Sequence, residues 1–231
     1  MDFDVISNSF KKALDVWKEN IVAYIVGMLI ISLVSGIIAG GILGFGGLSF
    51  ITAIATGSTA GLGLGLAAMG LGSIILFLVV SPLSFGLFYM AIKGTRGEKV
   101  EIMDIFYAFK SLSMYIRVLI LFIVLGLIYG ILSLIPILGW ILMIVVSILL
   151  TYACYIYVMK PSENIVYALK ESFNIVKDNL VMTIVAILVV AVLNFIGSIP
   201  FGLGLLITTP IAMVFVAYVL KELKPELKDE S

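Results

Sequence analysis

The chain has no histidine and no glutamine, a single cysteine, and no charge at all over most of its length. Without histidine there can be no Ser-His or Cys-His nucleophile pair and no His-based zinc site. One cysteine, Cys154, excludes an intramolecular disulfide. Lys and Arg number 14, Asp and Glu also 14, and no long basic run occurs, so no nucleic-acid partner is expected. The amino terminus, MDFDVISNSFKK, sets acids ahead of its lysines and has no small-residue cleavage site after an apolar run, so no removable signal peptide is expected. The lack of glutamine and histidine fits a heat-adapted prokaryote, where thermolabile side chains are depleted.

What is present is apolar: 62% of residues are hydrophobic and 12% charged, with a mean hydropathy of +1.26. This composition predicts an all-α integral membrane protein, a single polytopic domain over 1–231. Runs long enough to cross about 30 Å of hydrocarbon lie near 21–40, 73–92, 115–134, 138–159, 180–199 and 203–220, giving six transmembrane helices. Every charged residue falls within 2–19, 93–117, 160–178 or 221–230. Each charge-free interval between these clusters holds an even number of spans, so all the charge lies on one side. By the positive-inside rule that side is cytoplasmic, and a multi-pass protein of the cell membrane with N- and C-termini inside is expected.

An internal repeat runs through the charged clusters. DIFYAFKSLSMYIRVLI from Asp104 aligns without gaps on NIVYALKESFNIVKDNL from Asn164, and VISNSFKKALDVWKENI from Val5 fits the same frame. Three two-helix repeats result, at about 5–93, 104–160 and 164–221. Each is expected to open with an interfacial amphipathic helix whose apolar stripe faces the lipid: Ile6, Phe10, Leu14, Trp17 and Ile21 in the first, and Ile165, Leu169, Phe173, Val176 and Leu180 in the third. The middle copy gives Ile105, Phe109, Ser113, Ile116 and Ile120, with one polar break. A basic pair seven residues apart recurs in each copy, as Lys11 and Lys18, Lys110 and Arg117, Lys170 and Lys177. These are candidate lipid-headgroup contacts; as snorkelling anchors they would serve the fold alone.

The first charge-free interval is 31 residues longer than the other two, and the surplus is a glycine-rich insertion in the first hairpin, about 41–72. Parity forbids one extra span there. A re-entrant pair of short helices is expected, with an outward extension of the hairpin as the alternative. Ala53, Gly57, Gly61 and Gly65 stand four apart and predict a ridge for close helix packing. A dinucleotide fingerprint in this stretch is rejected, because the preceding strand and following acid are missing.

Ionisable groups within the spans are absent, which argues against a proton relay. The spans do carry Ser81-Pro82, eleven residues before Lys93, and Thr209-Pro210, eleven before Lys221. Eleven residues cover about 16 Å, near the midplane. Proline frees the carbonyl four residues back, here Leu78 and Leu206. Matched interruptions in repeated units point to a binding site, so Ser81, Pro82, Thr151, Asn194, Thr209 and Pro210 form a candidate midplane set. The alternatives are packing kinks for the prolines and an interhelical hydrogen bond for Asn194.

The segments SFKKALDVWKENI, LIPILGWI and ALKESFNIVKDNL resemble uncharacterised prokaryotic six-span membrane families related to the membrane domain attached to some glycerophosphodiester phosphodiesterases. That resemblance implies six spans and no catalytic residues to carry over. By architecture alone the three two-span units are similar to mitochondrial carriers, though the carrier Pro-x-acid-x-x-base signature is absent. The resulting expectation is a non-enzymatic membrane protein with no cofactor or metal, lipid-interacting or membrane-organising. Its partners would be membrane lipids and a second copy or another membrane protein. The alternative is a transporter or channel for a small uncharged or lipophilic solute.

Overall fold

The computed structural model describes residues 3–227, which are mainly helical with no strand among them. Ten α-helices follow in chain order: α1 (Phe3–Glu19), α2 (Ile21–Gly41), α3 (Leu48–Thr56), α4 (Thr59–Thr95), α5 (Leu112–Ser133), α6 (Leu138–Leu149), α7 (Ala153–Met159), α8 (Ile165–Asp178), α9 (Leu180–Ser198) and α10 (Leu205–Leu223). A π-helical turn, Ile42–Gly47, joins α2 to α3, and a 3-10 segment, Ile102–Lys110, precedes α5. Helix satisfies every backbone polar group within the segment, which is what an apolar run in lipid requires. Six helices are long and apolar enough to cross a membrane: Ile21–Thr56, Thr59–Thr95, Leu112–Ser133, Leu138–Met159, Leu180–Ser198 and Leu205–Leu223. The chain is a multi-pass membrane protein by this measure.

The spans pair into three hairpins. The second turns at 134–137, where Ile137 has φ 60°, and the third at 199–204, where Phe201 and Gly202 have φ 51° and 82°. The first hairpin departs from expectation. No re-entrant pair forms at 41–72; both helices simply continue, to 36 and 37 residues, about 54 Å each at 1.5 Å per residue. Gly57, at φ +69°, makes the turn, and the Ser58 side chain accepts the Gly61 amide to start α4. Gly57 is therefore no part of the packing ridge. The seam instead joins Gly46 to Met69, Gly65 to Phe50, Gly61 to Ala53 and Gly72 to Ile42. A Cβ at Gly61 would stand 2.8 Å from that of Ala53, and one at Gly65 2.8 Å from the Phe50 nitrogen.

The segments ahead of the hairpins also differ from one another. Helices α1 and α8 form as the periodicity predicts, but their buried face is the small ridge Ser9, Ala13 and Val16 in one and Ala168, Ser172 and Ile175 in the other. The predicted stripe lies to one side: Phe173 and Leu180 are exposed, while Val176 is buried. The middle copy is not an amphipathic α-helix. Its 3-10 segment ends at the extended Ser111 (φ −148°, ψ 148°), whose hydroxyl caps α5 through Met114 N. Gly86 of α4 explains the difference, because the Ile105 backbone lies where any Cβ at Gly86 would sit. Asp104 fixes the segment by pairing with Lys93 at 2.7 Å and accepting Glu101 N at 2.8 Å.

Contacts between the four charged clusters bring them together at one end of the molecule. Lys12 pairs with Glu222, Lys224 with Glu171, Lys221 Nζ donates to Thr95 O, and Arg117 Nη1 donates to Pro161 O. Asn20 Oδ1 accepts Val100 N.

Candidate functional site: breaks at mid-span

Each span that returns to the charged end is interrupted once. In α4 the interruption is Pro82 and in α10 it is Pro210. The fourth span, which has no proline at the matching place, is broken outright: α6 stops at Leu149 and α7 starts at Ala153. Side chains from neighbouring elements meet the backbone groups these breaks release. Tyr115 Oη donates to the Leu78 carbonyl freed by Pro82, at 3.0 Å. Ser172 Oγ of α8 donates to Leu149 O at 2.8 Å and accepts Tyr152 N at 3.2 Å, so one hydroxyl bridges the break. The partner of the Leu78 carbonyl is thus a tyrosine from the next hairpin rather than the adjacent Ser81.

Packing changes at these three places. On the charged side, beginning at Ser81, Tyr152 and Pro210, the returning helices are almost continuously buried. Tyr24, Phe85, Met90, Tyr152, Ile156 and Phe215 fill this base, and Tyr24 Oη donates to Met90 O while Tyr152 Oη meets Thr183 Oγ1 at 3.3 Å. Beyond the breaks, in 28–80, 122–151 and 187–209, the buried residues are Gly46, Ala53, Gly65, Gly139 and Gly197 alone. Each of these touches its own hairpin: Gly139 meets Leu132 and Gly197 meets Thr208. Large apolar side chains there, such as Leu134, Ile137, Trp140 and Phe195, are mostly exposed.

The midplane set does not converge on a shared cavity. Ser81, Pro82 and Pro210 are buried in helix packing, Thr151 in the break donates its hydroxyl to Ser147 O of α6, and Asn194 is half-buried. Five surface grooves among the described residues are lined by none of the six. Among the described residues no three Cys, Asp or Glu side chains gather as metal ligands would.

The basic pairs have unequal surroundings. Lys11, Lys170 and Lys177 are exposed, and Lys18 stands 3.9 Å from Asp15. Lys110 lies over the stacked rings of Tyr89 and Tyr107, at 5.2 and 5.1 Å from their centroids. Lys12, outside the predicted pairs, makes an ion pair from α1 to α10; its hydrogen bond to Glu222 raises its pKa. Sequence reasoning missed the small ridges of α1 and α8, although Ser9 with Ala13 and Ala168 with Ser172 are small residues four apart. No family model, no curated protein and no solved structure matches this chain.

Proposed function

We propose that the protein is a non-enzymatic, lipid-interacting or membrane-organising component of the cell membrane. Its three two-helix repeats are joined as a ring, with both termini cytoplasmic. The observation that carries this reading is the change of packing at the three breaks. On one side side chains fill the base; on the other the hairpins hold only to themselves, and the surfaces between them are apolar and uncharged. Acyl chains are the occupant that such surfaces accept.

The ring is supported by the order of contacts. The segment ahead of each hairpin packs on the returning helix of the preceding one: the 3-10 segment on α4, α8 on α6 and α7, and α1 on α10. On this reading α1 and α8 lie at the cytoplasmic interface, their lysines at headgroup level, and a prokaryotic source and kinship with the phosphodiesterase-associated membrane domains follow the resemblance above. A second copy or another membrane protein is the partner open to it.

The transport reading, for a small uncharged or lipophilic solute, is favoured by one feature: three breaks at one depth supply three hinges. Reconstitution into liposomes separates the two. The lipid reading expects no leak of an uncharged solute and a change in the exchange or retention of a labelled lipid. Protein-dependent solute flux with no effect on lipid would replace it with transport.

A further inference from the structure

At the charged end, away from the breaks, a groove of about 280 Å³ lies where the start of α5, the end of α7 and the start of α8 meet. Arg117, Tyr157, Ser162, Glu163, Asn164 and Ile165 line it. Arg117 is exposed and gives one N–H to Pro161 O at 3.0 Å; its guanidinium has no ion pair with a described residue, so its other donors are open. Tyr157 is only 2% exposed and lines the groove, and its hydroxyl makes no hydrogen bond to a described residue. Its ring is held edge-on to Phe85 of the base, at 6.0 Å, so the phenol is fixed in place.

The third wall is the amino end of a 14-residue helix. Asn164 caps α8 by accepting Tyr167 N at 2.8 Å, and no acid stands in its first turn. The amides of Ile165 and Val166 therefore keep no partner within the helix, and the positive end of its dipole faces the groove. Glu163 is the one anion on the lining, set against the guanidinium and this dipole.

We infer that this groove binds a phosphate group, with Arg117 as its charge partner and the Tyr157 hydroxyl and α8 amides as donors. Helix amino termini and arginine forks are the usual partners of phosphate. The phosphate could belong to a lipid headgroup or be free in solution. Only the first source rests on the lipid-interacting reading, and it makes this groove, rather than the scattered lysines, the place where a headgroup is held.

The test uses the full chain in detergent, titrated separately with phosphatidylglycerol, phosphatidylcholine and inorganic phosphate, with the thermal unfolding midpoint as readout. Arg117→Gln, Tyr157→Phe and the control Lys177→Gln are compared with the unaltered protein. Stabilisation by a phospholipid assigns the source to lipid; stabilisation by inorganic phosphate alone assigns it to a soluble anion and leaves the lipid reading without this support. In either case Arg117→Gln should weaken binding about tenfold, as loss of a charged hydrogen bond does. Tyr157→Phe should weaken it severalfold, and Lys177→Gln not at all. Equal loss in Arg117→Gln and Lys177→Gln would mean diffuse surface attraction and overturn the site. Unweakened binding in both Arg117→Gln and Tyr157→Phe would overturn it while leaving the lipid reading intact, and no response to any probe would overturn both.

Discussion

The two ends of this molecule are built by different means. Toward the charged end the spans are held by large side chains, with Tyr24, Phe85, Tyr152 and Phe215 all but inaccessible. Toward the far end nothing larger than Ala53 is buried, and helices meet through glycine. The difference teaches what glycine does in lipid. Where apolar side chains gain nothing by leaving one apolar medium for another, close backbone approach is the remaining source of attraction. Between hairpins no glycine seam of this kind forms among the described residues.

The sharpest way to break the comparison is to put a side chain where the base has no room. Gly86→Leu meets the Ile105 backbone, which cannot move aside without unseating the Lys93–Asp104 pair, and a loss of about 3 kcal/mol is expected. Detergent thermal unfolding measures it; the same change at Gly126, which has open space around its Cβ, should leave the midpoint unchanged.

Next is Ser172→Ala, which removes both hydrogen bonds across the break in the fourth span and should cost about 1 to 3 kcal/mol. Tyr115→Phe strands the Leu78 carbonyl in the same way, with a cost of about 1 kcal/mol. If either variant unfolds like the native protein, the breaks are not held from neighbouring elements as described.

The far end should respond by position. Gly61→Leu is expected to cost about 1 to 3 kcal/mol and Gly63→Leu, which meets nothing, close to zero. In a Cys154→Ala background, cysteines along 53–69 should label unevenly with an impermeant thiol reagent, with positions 53, 61 and 65 protected. Uniform labelling would remove the seam. The smallest effect belongs to the exposed Lys12–Glu222 pair, where Lys12→Met should cost under about 1 kcal/mol. Because the partner raises the lysine pKa, that contribution is complete at neutral pH and disappears only as pH rises through the raised value, which a pH series of unfolding midpoints would follow.

Much of this architecture was legible from charge and length. The six spans, the turns near Ile135 and Pro200, and the two mid-span prolines follow from where charge is missing and where proline stands. The interruption of the fourth span was not legible, because it depends on Ser172 reaching in from another helix. The 3-10 form of Ile102–Lys110 was hidden for a similar reason: it answers to Gly86, far back in the sequence on α4, and the polar break at Ser113 gave only a hint. The ridge of small residues was read one step too far, since four-residue spacing carries no sign that Gly57 is the turn itself. In α1 and α8 the periodicity gave the helix and an apolar stripe turned to the lipid, but it did not show which residues pack on the protein. The small residues Ser9, Ala13, Ala168 and Ser172 are the ones that pack against protein. Of the groove beside α8, Arg117 was legible from its charge, whereas Tyr157 was not, because only the fold brings the end of α7 beside the start of α8.

The long first hairpin has a consequence for the membrane itself. Two helices of about 54 Å, uncharged as far as Lys93, exceed about 30 Å of hydrocarbon, and leaning at 40°, the steep end of the usual range, still leaves a rise of about 41 Å. In a bilayer of that thickness such a mismatch would act as a strut acts on a canopy, drawing thick lipid around the first hairpin and not the other two. Such a protein has a preferred membrane thickness, and its partition between short-chain and long-chain lipid phases, before and after trimming residues 48–72, would measure how strongly one hairpin decides where the whole chain resides.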